Sequence, residues 1–343
     1  MKRSAQLRFG LAFLVAIHAV ILAAGFFAPY DPSEQDRNFS YAPPTPVRFK
    51  DAGGHWHLRP FIYAMRESEN DLGNYEQELR IEYPLKFFVH GGSYKLLGLF
   101  PSTLHFVGVE RHARLLLMGS DGYGRDQFSR LLYGGQISIF AGLLAALLSL
   151  ISGAILGTLA GFYAAWIDDA LMRLAELFLA VPWLYMLLAV RAFLPLSISP
   201  LHAFLLIVVV IGLVGWARPA RLVRGIVLSA KERKYVLAAR GFGASDLYLL
   251  RTHIIPETYS VLLTQATLLV PQFILAEVTL SFLGLGIAEP VPSWGNMLAT
   301  AQQYHVLVSY WWMLLPGLAL IVVFLGYFGV ADALEKRLQS PAI

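Results

Sequence analysis

Ionisable side chains are scarce in the apolar parts of this 343-residue chain, so few residues there could do chemistry. Glu277 is the deepest charge in any apolar run. A carboxyl in lipid is costly and defaults to a role, either an ion or proton relay or a contact in helix packing. Packing is the stronger reading, through a partner chain or a protonated Glu277 bonded to Thr279 or Ser281. Arg173 and Glu176 stand at i and i+3 and are spaced to pair on one helix face. His55 and His57 form an H-x-H, and alternate residues share one face of a strand. No third ligand stands at helpful spacing, so they read as surface histidines beside Trp56, and no metal site is expected. The chain has no cysteine, which removes disulfides, thiolate zinc sites and cysteine nucleophiles. It has no G-x-x-x-x-G-K-[ST] phosphate loop, G-x-S-x-G or H-E-x-x-H. No catalytic residue, and no cofactor bound by this chain, is expected.

The elements that must position these residues are set by composition. The chain is 57% hydrophobic and 15% charged, as integral membrane proteins are. A hydrocarbon core needs ~20 apolar residues per helix. Six stretches qualify, roughly Phe9–Ala28, Gln136–Ala164, Ala170–Leu194, Leu201–Trp216, Thr258–Leu283 and Trp311–Val330, the fourth being short. The fold expected is an all-α polytopic membrane protein of six spans. Lys2, Arg3, Arg8, Arg173, the eight basic residues from Arg218 to Arg251, Lys336 and Arg337 fall on one side, whereas the loop Gly284–Tyr310 has no Lys or Arg. The positive-inside rule makes both termini cytoplasmic. The first apolar run follows basic residues, as a signal peptide does, but is long for one and reads as a retained anchor.

Residues 1–29 are then the tail and first span, 30–135 an extracytoplasmic insertion, 136–335 a five-helix core, and 336–343 a cytoplasmic tail. The insertion opens with a proline-rich tether. "RPFIY", "ELRIEY" and "LKFFVHGG" have strand-like composition or alternation, and "FKDAGGHWHLRP" reads as a hairpin turn. The insertion is therefore expected to be small and β-rich. No inverted repeat of broken helices is evident, unlike many secondary transporters.

The segment Lys231–Pro256, "KERKYVLAARGFGASDLYLLRTHIIP", is the exception among the apolar runs. Lys231–Arg240 is a good helix former. Gly241 and Gly243 supply a C-cap and a tight turn. A second helix starts at Ala244 or Ser245, with Asp246 in its first turn and Leu247, Leu250 and Ile254 as its buried stripe. Pro256 punctuates the passage into the fifth span. DNA binding is a poor reading, since the second helix offers few base-reading side chains; docking on a cytoplasmic protein fits better.

The same segment resembles the coupling loop of ABC importer permeases, E-A-A-x-x-x-G, nine residues, then I-x-L-P. Ala238, Ala239, Gly243 and Pro256 match; Leu237 replaces the Glu and His253 the Ile. "GSDGYGRDQFSRLLYGGQIS" resembles the signature of the C-type permease of oligopeptide, dipeptide and nickel importers, with Ser120 for Thr and Gln136 for Arg. "GFYAAWIDDALMRLAELFLAVPWL" and "AEVTLSFLGLGIAEPVPSWGNML" resemble later parts of that family. The resemblance covers about Gly119 to Gln339.

It implies a subunit forming half of a translocation pathway for peptides or a similar small solute in a bacterial inner membrane. A second, B-type permease, two ATPase subunits carrying ATP and Mg, and an extracytoplasmic substrate-binding protein would complete the complex; no nucleic acid is implied. Within the loop 218–256, the residues Leu237, Ala238, Ala239, Arg240, Gly241, Phe242, Gly243, Ala244, Ser245, Asp246 and Pro256 would couple to the ATPases. Glu277, Ser281, Gly284, Gly286, Trp294 and Asn296 would line the pathway or meet the partner permease. Trp294 and Tyr310–Trp312 are expected as interfacial anchors. An ion-coupled secondary transporter relying on Glu277, or a membrane-anchored scaffold with an outer binding domain, are the competing readings.

Overall fold

The computed structural model describes residues 2–68, 73–110, 112–163, 165–192 and 199–338. The end of the expected third span (193–194), the last residues of the expected tail (339–343), and residues 1, 69–72, 111 and 164 lie outside that set. The helices in chain order are α1 (Lys2–Leu22), α2 (Ala24–Phe27), α3 (Gln127–Tyr163), α4 (Ala165–Ala180), α5 (Trp183–Ala192), α6 (Pro200–Val214), α7 (Ala217–Lys231), α8 (Lys234–Gly241), α9 (Asp246–Leu249), α10 (Ile255–Phe282), α11 (Trp294–Ala299), α12 (Tyr304–Ser309) and α13 (Leu315–Leu338). Five strands lie between α2 and α3: β1 (Arg48–Lys50), β2 (Trp56–Glu67), β3 (Tyr75–Pro84), β4 (Lys86–Leu96) and β5 (Phe100–Gly108). The mostly helical fold with a small β-rich insertion agrees with expectation.

Five helical stretches are long and apolar enough to cross a bilayer: Ala5–Leu22, Gln127–Tyr163, Pro200–Lys231, Asp246–Phe282 and Trp311–Arg337. The expected third span is not one helix. α4 and α5 are bent by 91°, at Val181-Pro182. Pro182 has no N–H to donate, and its ring drives Val181 out of the helical region. Counting the bent pair as one span gives six. The short fourth run is extended instead: α6 and α7 together make a 32-residue stretch. α7 is amphipathic, burying Ala220, Val223, Val227 and Ala230 while Arg218 and Arg221 stay exposed.

The chain divides into two compact units. The first comprises Met1–Leu14, Ile139–Leu280 and Val323–Ile343. Here α3 packs on α7 through Gly153, Gly157 and Gly161, spaced by four and so on one helix face. A Cβ on Gly157 would lie 2.4 Å from the Ala220 carbonyl oxygen, and one on Gly161 2.8 Å from Val227 Cβ. Only glycine permits this approach, the usual way helices pack where lipid removes the hydrophobic drive between them. Asp168 of α4 and Arg224 of α7 pair through both carboxylate oxygens, with Nη2 to Oδ2 at 2.5 Å. The expected Arg173–Glu176 pair does not form among the described residues; earlier on α4, Asp168 pairs with Arg224 of α7 instead.

The second unit comprises Val15–Ser138 and Ser281–Val322. β1, β2 and β3 form an antiparallel sheet and β4–β5 a hairpin. Ile62, Leu85, Val107 and Leu115 form their shared core. The turn expected in "FKDAGGHWHLRP" is present between β1 and β2. The proline-rich stretch is not a free tether: Tyr41 N–H donates to the Asp121 carbonyl at 2.9 Å, Thr45 N–H to Leu116 at 2.8 Å, and Ser120 N–H to Ala42 at 2.9 Å. Prolines lower the entropy lost on fixing such a stretch.

Candidate functional site

Lys231 ends α7, and after a break at Glu232 and Arg233 the rest of the segment, to Pro256, is a helix, a closed turn and a second helix. α8 ends in a Schellman motif. Ala244 N–H reaches back to the Ala239 carbonyl at 3.1 Å, and Gly243 N–H to Arg240 at 3.0 Å. Gly243 holds the left-handed conformation this motif requires, at φ +85°. Gly241 is still helical and has open space around it. Ser245, not Ala244, caps the next helix, its hydroxyl accepting from Tyr248 N–H.

Pro256 does not break the second helix. A π-turn over Leu250–Ile254 joins α9 to α10. It widens the helix just where Pro256 cannot donate to the residue 252 carbonyl, the usual accommodation of such a defect. The wider turn also changes which side chains point inward. Leu249 and Ile254 are buried with Leu250 beside them, whereas Leu247, expected on the buried stripe, is 75% exposed.

The turn sits on an apolar mount of Phe162, Val223, Val227, Ala230, Val236, Leu249 and Ile254, with Ala239 and Ala244 packed against it. Polar contacts pin the rim. Lys231 Nζ donates to the Gly161 carbonyl at 3.0 Å. Glu257 Oε1 accepts from Arg233 and from the Tyr235 hydroxyl, both at 2.9 Å. Arg240 lies over the Phe162 ring. Outward, Leu237, Ala238, Arg240, Gly241, Gly243, Ser245 and Asp246 are exposed, and Phe242 at the tip is 94% exposed. His253, in the Ile position, lies between the Tyr235 and Tyr248 rings.

A second constellation gathers the "GSDGYGRDQFSR" residues in the second unit. Asp121 Oδ1 accepts from the Tyr123 and Arg125 N–H groups at 2.9 and 3.0 Å, and its Oδ2 from Arg125 Nε at 2.7 Å. Arg125 and Arg130 then both reach Glu289, at 2.5 and 2.9 Å. Both guanidiniums are buried, and buried charge is tolerated only when paired this way. Asp126 closes the first turn of α3, accepting from Ser129 N–H at 2.7 Å and Oγ at 2.6 Å. Burial outweighs those bonds and pushes its carboxyl up to about 6. Glu289 escaped the sequence reading because its partners lie 159 and 164 residues away.

Of the other expected site residues, Glu277 is fully buried in α10. Thr279 directs its hydroxyl proton to the Leu275 carbonyl at 2.7 Å. Ser281 is buried, Gly284 is left-handed at φ +73°, and Gly286 folds tightly over Ser281. Ser293 and Asn296 form a capping box that starts α11; Asn296 also donates to the Ile287 and Val291 carbonyls at 3.2 and 2.9 Å. Trp294 is not a lipid-facing anchor. It is 1% exposed, and its indole N–H donates to the Leu131 carbonyl at 2.8 Å. Tyr310 stacks on Tyr41 and Trp312 donates to the Ser120 carbonyl, which leaves Trp311 as the exposed ring of that run. His55 and His57 both contact Asp51 Oδ2, at 3.2 and 3.1 Å, but only His57 also lies beside Glu82; spacing alone did not single out either acid.

Long apolar helices carrying a rigid, exposed helical turn are the build of a membrane-embedded protein. The model for the binding-protein-dependent transport system inner membrane component matches residues 153–340, and that for the N-terminal TM domain of oligopeptide transport permease C matches residues 6–44. The chain belongs to this binding-protein-dependent family of ABC importer permeases, which upholds the resemblance read from its motifs. It is 32% identical over 339 residues to the di/tripeptide transport system permease protein of Pseudomonas aeruginosa, spanning 97% of this chain and 88% of that one. To the dipeptide transport system permease protein of Bacillus subtilis it is 37% identical over 226 residues, 64% of this chain and 68% of the relative. A chain of the inward-facing methionine ABC transporter MetNI aligns over 61% of this chain and 96% of its own, with a TM-score of 0.46 and 16% identity.

Proposed function

We propose that the chain is one of two permease subunits lining the pathway of a peptide importer in a bacterial inner membrane. The peptide substrate rests on the names of its relatives. In this reading the bent α4–α5 pair is one of six spans, both termini are cytoplasmic and residues 30–135 are extracytoplasmic. A B-type permease completes the pathway, a binding protein delivers substrate, and two ATPases hold ATP and Mg. The turn Arg240–Ser245 couples to the ATPases. The observation that carries this role is an almost wholly exposed Phe242 on a turn closed by backbone hydrogen bonds and seated on a fully buried apolar mount. An exposed aromatic on a rigid base is the form of an interface anchor. A push on such a turn moves the helices below it as a rigid body.

The test is to purify the whole complex with wild-type chain or with Phe242→Asp. The variant is expected to insert and to retain the sibling permease, while losing the ATPases and substrate-stimulated ATP hydrolysis. Full coupled transport by Phe242→Asp overturns the proposal.

A further inference from the structure

We infer that Asp51, His57 and Glu82 form a binding site for a divalent transition-metal cation of the zinc or nickel class. The three come from the β1–β2 turn, the start of β2 and β3. Their donor atoms all lie within 4.8 Å of one another. His57 Nε2 is 3.1 Å from Asp51 Oδ2 and 3.5 Å from Glu82 Oε2. A cation with bonds of about 2.0–2.1 Å in tetrahedral geometry spaces its ligands about 3.3–3.4 Å apart. Those two separations bracket that spacing, so a cation fits with small side-chain shifts.

The donor set selects the metal. One imidazole with two carboxylates suits zinc-class cations, whereas calcium takes six to eight oxygens and magnesium prefers its waters. Three protein ligands leave further positions for water, so this site would be open.

The ligands are held before any metal arrives. Asp51 Oδ1 accepts from His55 N–H at 2.8 Å, and Asp51 N–H donates to the His55 carbonyl at 3.0 Å. The turn is fixed further by Ala52 N–H, which donates to the Tyr63 hydroxyl at 3.1 Å. Oδ2 is thereby aimed at His57. The His57 ring meets the buried Phe61 edge-on, with centroids 5.1 Å apart. Glu82 is set by the ladder, where it pairs with Tyr63. His55 stays outside the donor group and contacts Asp51 Oδ2 through Nδ1 at 3.2 Å, a supporting contact of the kind that orients a ligating carboxylate. A bound cation would tie the β1–β2 turn to β3. The rival arrangement with these distances is an imidazolium between two carboxylates, which needs no metal.

The two are separated by titrating the full-length protein, without a histidine tag and stripped with chelator, with cobalt(II) and then zinc(II). The inferred site gives saturable cobalt absorption in the visible range at one equivalent, displaced by zinc and untouched by excess magnesium. His57→Ala and Glu82→Gln each lower the affinity by about tenfold or more, and His55→Ala by less. Glu82→Gln is an exposed, nearly isosteric change, so it reports even if His57→Ala does not fold. No saturable binding, or unchanged affinity in Glu82→Gln, overturns the inference and leaves an ion pair.

Discussion

Around the Arg240–Ser245 turn the buried side chains are apolar, whereas around Arg130 they are charged. Both regions are held rigid, by different physics. The turn's mount relies on dispersion and close approach, and continues into the α3–α7 contact, where glycines let two backbones touch. The Asp121–Arg125–Arg130–Glu289 cluster relies on directed charge-assisted bonds. Apolar packing of this kind tolerates changes of partner identity but not of volume. A buried ion network tolerates modest changes of volume but not the loss of one partner.

The largest effect expected from that contrast is at Gly157. Gly157→Leu places a side chain inside the α7 backbone and should abolish recovery of monodisperse protein, whereas Gly225→Ala, with open space around it, should leave the yield unchanged. Equal yields would show that the glycine contact does not hold the helices. Next, Arg130→Ala removes one of the two guanidiniums on Glu289, which keeps Arg125, and empties a buried site. It should cost about 1.5–3 kcal/mol in chemical denaturation, and Glu289→Gln should be largely non-additive with it; simple additivity would remove the network.

A smaller and two-signed effect separates the two glycines of the turn. Gly243→Ala forces a Cβ into left-handed backbone and should destabilise by about 1–2 kcal/mol. Gly241→Ala, in helical backbone, should stabilise by up to about 1 kcal/mol. Thermal melts that move in the same direction would refute the Schellman assignment.

A pH effect belongs to the second unit. Burial pushes the Asp126 carboxyl up to about 6, above the ordinary carboxylate range. The folded state therefore holds this proton more tightly than the unfolded state does. The cost of the ionised form is present in full above pH 6 and fades as pH falls towards 4. Wild type should gain thermal stability relative to Asp126→Asn over that interval; parallel curves would contradict it.

The spans were legible because a 20-residue apolar run has few alternatives in lipid. β3 was legible from alternation in "ELRIEY", although Leu79 and Ile81 are both exposed, and β5 was not read. The Ala-Gly-Pro spacing marked the turn, and Gly243 was readable because left-handed backbone favours glycine. Other features were not legible, for identifiable reasons. Pro182 lies in a run whose hydropathy is unbroken, so the 91° bend leaves no trace in polarity. Leu247 and Leu249 exchange places because a π-turn shifts the helical period, and no single residue announces one. Trp294 has the composition of an interfacial anchor, but its burial depends on Leu131 and Ser138, far away in sequence. Glu289 and Glu82 gain their partners only through folding.

The π-turn has one more consequence. By absorbing Pro256 it leaves the backbone unbroken from Asp246 to Phe282, 37 residues, about 55 Å at ~1.5 Å per residue. A hinge at Pro256 would have let the Asp246 end swivel while the rest stood still. Carried through it instead, the helix runs as one piece to Pro271, about 39 Å on, the next place where a missing N–H lets it bend, so a tilt of about 5° at one end sweeps the other through roughly 3 Å. The travel of the Asp246 end is then set by helix length rather than by flexibility at Pro256.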